Sequence, residues 1–393
     1  MNILFLSYWG INEGLSQATV IPHLKILSGL SRVDKIIYVS IERNHEKIEP
    51  LQIEKLEHRP LYSRNISPYY LNKIYDFTWM PKKLVYWCEL EKIDKVICRS
   101  SMAGALGWMV WKKIKIPFYV ESFEPHSEYM REAGVWKIYD PRYWFQKYWE
   151  KQQKRYAKLL MPVSNKYREY LIKEGVSELK IKVVPCAVNI EKFKFNEHER
   201  KKIRQQLNIS DRTVVGIYVG KFGGIYYSVE ALDILKICQD TINDCFIIVL
   251  SNQSRNMIKT GMQKFGIDVK RVLIDQVEYN QVPAYLSSAD FAFCFHKPHN
   301  FSMAYSPIKN GEYWANGLPI IMSNNIGDDS DIIKREEVGM LYYPGDNLSL
   351  IRYLKLISPL ISKKERESFK LIANSYRSFN FTNSAYNMII NER

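Results

Sequence analysis

The residues best placed to do chemistry lie in one string, Ser306-Pro307-Ile308-Lys309-Asn310-Gly311-Glu312-Tyr313-Trp314-Ala315-Asn316-Gly317-Leu318-Pro319. It reads as a helix start, one or two helical turns, a glycine stop and a buried strand from Leu318. Ser306 is a good N-cap, and Pro307 suits the first helical position, where a missing N–H costs nothing. Such a start leaves backbone N–H groups and a partial positive charge facing outward, which suits a phosphate. Lys309 adds a full charge in the first turn. Glu312, one turn on, is placed to accept hydrogen bonds from sugar hydroxyls. An ordinary capped helix beside a strand requires neither of these two residues.

Two glycine-bearing loops are further candidates. Val214–Val219 runs into Gly220-Lys221-Phe222-Gly223-Gly224, which presents backbone N–H groups beside a cation. Gly10-Ile11-Asn12-Glu13-Gly14-Leu15-Ser16-Gln17 follows the first strand and precedes a helix expected near Ala18. Its glycines let the backbone approach a ligand, although a plain strand-to-helix turn explains the loop nearly as well. It is not a G-x-G-x-x-G fingerprint and no acidic ribose-binding residue follows, which disfavours nicotinamide. His126 sits on a loop after a strand with Glu121, Glu124 and Glu128 in reach. A sugar-hydroxyl contact, or a general base for an inverting reaction, would come from here. His296 and His299 have no acid pair at ligand spacing, and Asp328, Asp329 and Asp331 fit a turn and helix cap; no metal is expected.

These residues need a scaffold that places strand ends side by side. Candidate strands are 2–7, 35–41, 95–98, 117–121, 159–163, 182–184, 214–219, 245–250, 272–275, 291–295 and 318–323. They are continuous apolar runs separated by helical patterns, the mark of parallel sheets covered on both faces. The pattern restarts near Arg212, so two doubly wound halves are expected, and 393 residues suit two domains. No run approaches membrane-spanning length, and the first residues read as a buried strand rather than a signal peptide. Six scattered cysteines without a C-x-x-C pair suggest a reduced, cytoplasmic compartment. The net charge of +14 is uneven: residues 1–190 hold 30 Lys and Arg against 20 Asp and Glu. That excess points to an anionic partner, a membrane face or phosphorylated acceptor, and no nucleic-acid signature accompanies it. Within Trp144–Lys158, Lys147, Lys151, Lys154, Arg155 and Lys158 form a basic stripe edged by Trp144 and Tyr148. Phe145, Trp149, Tyr156 and Leu160 lie on another face, which can pack into the domain. The stripe suits an anionic membrane surface; a solvated helix face is the plain alternative.

Together the Ser306–Pro319 string, Gly220-Lys221, the glycine loop after strand one and the Val183–Asn189 crossover resemble nucleotide-sugar glycosyltransferases of the GT-B fold, especially the retaining family four. The resemblance implies an α/β architecture of two doubly wound Rossmann-like domains facing a central cleft. Residues 1–190 would take the acceptor, 191–372 the donor, and a helix in 373–393 would cross back to the first domain. It implies a nucleotide diphosphate sugar as donor, with no separate cofactor. Gly10, Gly14, Gly220, Lys221, Ser306, Pro307, Ile308, Lys309 and Glu312 would bind the donor. Ser16, Gln17, Glu124 and Glu128 would meet a glycan or lipid-linked acceptor. His126, Lys221 and Glu312 would carry the reaction at the cytoplasmic membrane face, in cell-surface polysaccharide synthesis. Two departures stand out: Tyr226 replaces a second lysine, and Ala304 replaces the first of two glutamates. They leave open an epimerase or hydrolase of the same fold, or a non-catalytic binding partner.

Overall fold

The computed structural model describes residues 1–43, 47–64, 70–357 and 363–392. Strands such as Asn2–Ser7 are buried almost throughout, because helices cover both faces of the sheet. The first sheet contains β1 (Asn2–Ser7), β2 (Lys35–Glu42), β3 (Leu56–His58), β4 (Leu61–Tyr62), β5 (Lys95–Arg99), β6 (Phe118–Glu121) and β7 (Leu159–Met161). Its order is β3-β2-β1-β5-β6-β7, with β4 beside β2. The second contains β8 (Val214–Val219), β9 (Cys245–Leu250), β10 (Val272–Asp275), β11 (Phe291–Cys294), β12 (Ile320–Ser323) and β13 (Gly339–Tyr342), in the order β10-β9-β8-β11-β12-β13. All the pairings are parallel. Strand order reverses between β1 and β5, and again between β8 and β11. The crevice beyond the carboxyl ends at such a reversal is where open α/β sheets take ligands.

The chain divides into two compact units, residues 1–186 with 379–393, and residues 187–378. The divisions therefore follow Cys186 and Ser378 rather than residues 190 and 372. The helix Lys363–Arg377 stays in the second unit, where Arg366 donates to the carbonyls of Asn316 and Ala289. The helix Asn380–Asn391 belongs to the first. Its Ala385, Tyr386, Ile389 and Ile390 share a core with Ile3, Phe5, Val20 and Leu24. Residues 182–184 are not a strand: Lys182 and Val184 bond to Leu160 and Pro162, and Pro185 then removes a donor. The glycine-loop helix begins at Gly14, earlier than expected.

A buried charge cluster ties the second unit together. Asp290, fully buried before β11, accepts from Arg200 at 2.7 Å, from Arg204 at 2.8 Å and from the Val215 amide at 2.8 Å. The same arginines gather the carbonyls of residues 287–289, so both charges of each pair are fully bonded. Removing one member leaves uncompensated buried charge. Asp290→Ala is expected to destabilise the second unit by about 3–5 kcal/mol, read as a lowered denaturant midpoint. An unchanged midpoint would show that the cluster contributes little.

Candidate functional site

The second unit brings its predicted residues together at the β8–β11 reversal. β8 ends at Val219, whose N–H donates to Tyr313 Oη at 3.0 Å, and the chain turns at Gly220. A Cβ on Gly220 would lie 2.6 Å from Lys309 Nζ, so glycine is what admits the lysine. The turn beyond is pinned by Gln253, which accepts from the Phe222 amide at 2.7 Å and donates to its carbonyl at 3.1 Å. Lys221 itself is exposed, and its ammonium makes no ion pair or hydrogen bond among the described residues.

Lys309 occupies an unusual setting. Its ammonium lies 5.4 Å from the Tyr218 ring centroid and 4.7 Å from that of Tyr226. No carboxylate or hydrogen-bond acceptor among the described residues partners it. Burial lowers its pKa, while Cys294 and Glu312 act in the opposite sense. Its helix spans Ile308–Ala315 with Pro307 at the N-cap and no side-chain cap. Ser306 is therefore not the expected cap. Its hydroxyl accepts instead from Arg377, which also pairs with the buried Asp329. Asp329 in turn accepts from Asn310 Nδ2 at 2.7 Å, so this network anchors the helix from behind. The first-turn amides are left without a side-chain cap beside the ammonium, an arrangement that favours an anion.

Glu312, 5% exposed, lies one turn beyond Lys309 on the same helix. Its Oε1 accepts from Tyr279 Oη at 2.9 Å, and Lys192 Nζ stands 4.0 Å from the Tyr279 ring centroid. Burial pushes the Glu312 carboxyl up to about 7, against the Tyr279 hydrogen bond and the charges of Lys309 and Lys192. Tyr279 and Lys192 carry no sequence motif and were not foreseen. Ala304, where a second glutamate was awaited, is buried in the turn Asn300–Ala304.

Residues 44–192 match the family described as Glycosyltransferase Family 4, and residues 199–374 match Glycosyl transferases group 1. Between them the two matches take in most of the chain. It belongs to the GT-B glycosyltransferases of family-four type. No curated protein matches the sequence. Among solved structures, sucrose-phosphate synthase from Thermosynechococcus elongatus is 13% identical with a TM-score of 0.77, over 99% of this chain and 98% of that one. HepE from Anabaena, in complex with UDP-glucose, is 14% identical with a TM-score of 0.71, over 99% of both chains. WaaG, a glycosyltransferase involved in lipopolysaccharide biosynthesis, is 15% identical with a TM-score of 0.69, over 99% of this chain and 100% of that one. At these identities the likeness is one of fold.

In the first unit of this glycosyltransferase, Gly10 is hemmed in by Glu42: an added Cβ would lie 2.5 Å from Glu42 Oε2. Glu42 also accepts from the Ile11 amide at 2.9 Å, which shapes the loop. Gly14 faces open space, and Gln17 is exposed with its amide donating to Ile11 at 3.0 Å. Ser16 is fully buried, which keeps its hydroxyl from an acceptor. His126 opens the helix His126–Glu132, with Nδ1 3.4 Å from Glu124 Oε1. Burial opposes a charged ring there, yet Glu124 and Glu150 raise its pKa overall. Glu128 is taken up by the protein: Tyr143 donates at 2.9 Å and Lys147 at 2.8 Å, and Arg131 pairs with it at 2.8 Å. Those bonds compete with any acceptor hydroxyl.

The helix Pro141–Tyr156 buries Tyr143, Gln146, Trp149, Glu150 and Gln153. Trp144 and Tyr148 are exposed, and so is Phe145, which was expected to pack inward. Gln146 takes the inward place, donating to Glu150 and Ser101 at 3.0 Å each. Val135, Ile138 and Tyr139, just before the helix, are also exposed. Part of the basic stripe is neutralised, Lys147 by Glu128 and Lys158 by Glu392. Among the described residues no helix is long and apolar enough to cross a membrane, and no cluster of His, Cys, Asp or Glu suits a metal ion.

The Glu312 setting gives a pH signature. A carboxyl whose folded pKa is raised penalises the folded state once ionised. That penalty is absent below the ordinary value of 4.5 and complete above about 7. Glu312→Gln should therefore stabilise the ligand-free protein above pH 7 by roughly 3 kcal/mol and leave it unchanged near pH 4. Denaturant midpoints of both proteins across pH 4–8 test this, and parallel curves would refute the raised pKa.

Proposed function

We propose that this glycosyltransferase moves a sugar from a nucleoside diphosphate to a glycan or lipid-linked saccharide, with retention and without a metal ion. One observation carries the reading: the half-buried Lys309 ammonium, beside helix amides without a side-chain cap, makes no ion pair or hydrogen bond among the described residues. Partial burial makes its charge costly to keep, and a diphosphate offsets that cost. Lys221, reaching from the turn after β8, supplies a second positive charge. Glu312 is the ribose or sugar hydroxyl acceptor, with Tyr279 orienting it. In this reading Gly10, Gly14, Gly220, Ser306, Pro307 and Ile308 shape the donor site by backbone approach and support. HepE, of the same fold, is known in complex with UDP-glucose, which agrees with such a donor. With retention, the leaving diphosphate takes the acceptor proton while the lysines and helix amides hold its charge. His126 and Glu124 are assigned to the acceptor or sugar, and Gln17 to the acceptor.

Nucleotide release from a panel of nucleotide sugars, with saccharide acceptors, tests the assignment. Lys309→Ala should lower kcat/KM by roughly 10²- to 10³-fold, with a smaller loss for Lys221→Ala. Full turnover without acceptor would instead indicate an epimerase or hydrolase, and failure to bind any donor would indicate a non-catalytic protein. Activity that survives chelation supports the metal-free reaction, and the anomeric configuration of the product decides retention.

We also place the acceptor at the cytoplasmic face of a membrane, in polysaccharide assembly. Trp144, Phe145 and Tyr148 are exposed beside Lys151, and Val135, Ile138 and Tyr139 extend the apolar surface. Interfacial aromatics with lysines suit an anionic bilayer. The protein should sediment with phosphatidylserine-rich vesicles at low salt, and Trp144→Ser with Tyr148→Ser should weaken this by at least about tenfold. Equal sedimentation of wild type and variant would remove this surface from the account.

A further inference from the structure

Tyr226 stands where the family resemblance leads one to expect a lysine, and the structure gives it a definite task. Its backbone is fixed on both sides: Tyr227 N–H donates to the Phe295 carbonyl at 2.8 Å, and Lys297 N–H donates to the Ile225 carbonyl at 2.9 Å. Its ring packs against the His296 ring, tilted by 57° with centroids 4.6 Å apart, and His296 is itself buried. Burial and the nearby Lys309 charge keep that imidazole well below its ordinary pKa, so it is a neutral backing for Tyr226. The Lys309 ammonium lies 4.7 Å from the centroid of the phenol ring. Tyr218, fully buried, offers a second ring to the same ammonium at 5.4 Å. Aromatic faces attract a cation without neutralising it, as a carboxylate would.

We propose that Tyr226 is a positioning residue of this enzyme: its ring, backed by His296, holds the Lys309 ammonium in place and unneutralised for the anionic part of the donor. This rests on the donor reading of the same site. A lysine at 226 would repel Lys309 at this distance, so the two solutions exclude one another. Tyr226 trades a second cation for a fixed orientation of the first.

The test uses the full chain, with Tyr226→Phe, Tyr226→Leu and Tyr226→Met. Reductive methylation with ¹³C-formaldehyde labels lysine amines and retains their charge, and Lys309→Arg identifies the Lys309 signal by its loss. In wild type and Tyr226→Phe that signal should show an upfield ring-current shift, which Tyr226→Leu and Tyr226→Met lose. Calorimetry with UDP, GDP and ADP should show affinity within about twofold of wild type for Tyr226→Phe. For the Leu and Met variants it should fall about five- to thirty-fold. Tyr226→Met covers the case in which Tyr226→Leu fails to fold, judged by thermal unfolding. An unshifted Lys309 signal in wild type overturns the proposal. So does binding by folded Leu or Met variants as tight as wild type, or by Tyr226→Phe as weak as theirs, which would transfer the role to the hydroxyl. Should wild type bind none of the three nucleotides, the donor reading fails, while the ring-current comparison still judges the placement of Lys309.

Discussion

An ammonium partly withdrawn from water without an ion-pair partner is costly for a protein to keep, and among the described residues Lys309 has that arrangement. Much of the second unit's local construction is intelligible as what makes it tolerable. Glycine at 220 leaves room for the amine, and Tyr218 and Tyr226 offer it π-faces. Asn310, Asp329 and Arg377 fix the helix that bears it.

Buried charges described elsewhere in this unit are paired. Asp290 is met by Arg200, Arg204 and a backbone amide, and Asp329 by Arg377 and Asn310. Against that background, two groups without an ion-pair partner among the described residues stand one helical turn apart: Lys309, and Glu312, which accepts from Tyr279. Perturbed ionisable groups clustered at a strand-order reversal are the feature on which the proposed site rests. In the proposed reading their separation along the helix also divides the labour. The cation stands at the helix start, where amides add to it, and the carboxyl stands deeper, where hydroxyls are the natural partners.

Much of this was legible in the sequence, for identifiable reasons. Strands buried on both faces announce themselves as unbroken apolar runs, and β1, β8, β9 and β10 begin and end where those runs do. β3, β4 and β13 escaped because they are two to four residues long and mostly only half-buried. Lys309 and Glu312 were readable because their spacing on a helix follows from geometry alone. Ser306 was misread because cap propensity is local, whereas Arg377, 71 positions away, claims its hydroxyl. Tyr279, Lys192 and Glu42 act through tertiary contacts that leave no periodic trace. The inward face of the helix Pro141–Tyr156 was assigned by hydrophobicity: Trp149 does lie there, but polar Gln146, Glu150 and Gln153 share it, with bonds between Gln146 and Glu150 and to Ser101 and Ser127.

The return of helix Asn380–Asn391 to the first unit bears on how the polypeptide is made. Ala385, Tyr386, Ile389 and Ile390 fill space among side chains of β1 and its neighbours that were synthesised long before. At ordinary ribosomal speeds, the interval between completing residue 186 and supplying those four side chains is on the order of 10–40 s. Throughout that time the nascent N-terminal half carries an open apolar seam. It must wait for its own keystone, in the company of whatever chaperones attend the emerging chain, while the second half is free to close as soon as residue 378 has left the exit tunnel.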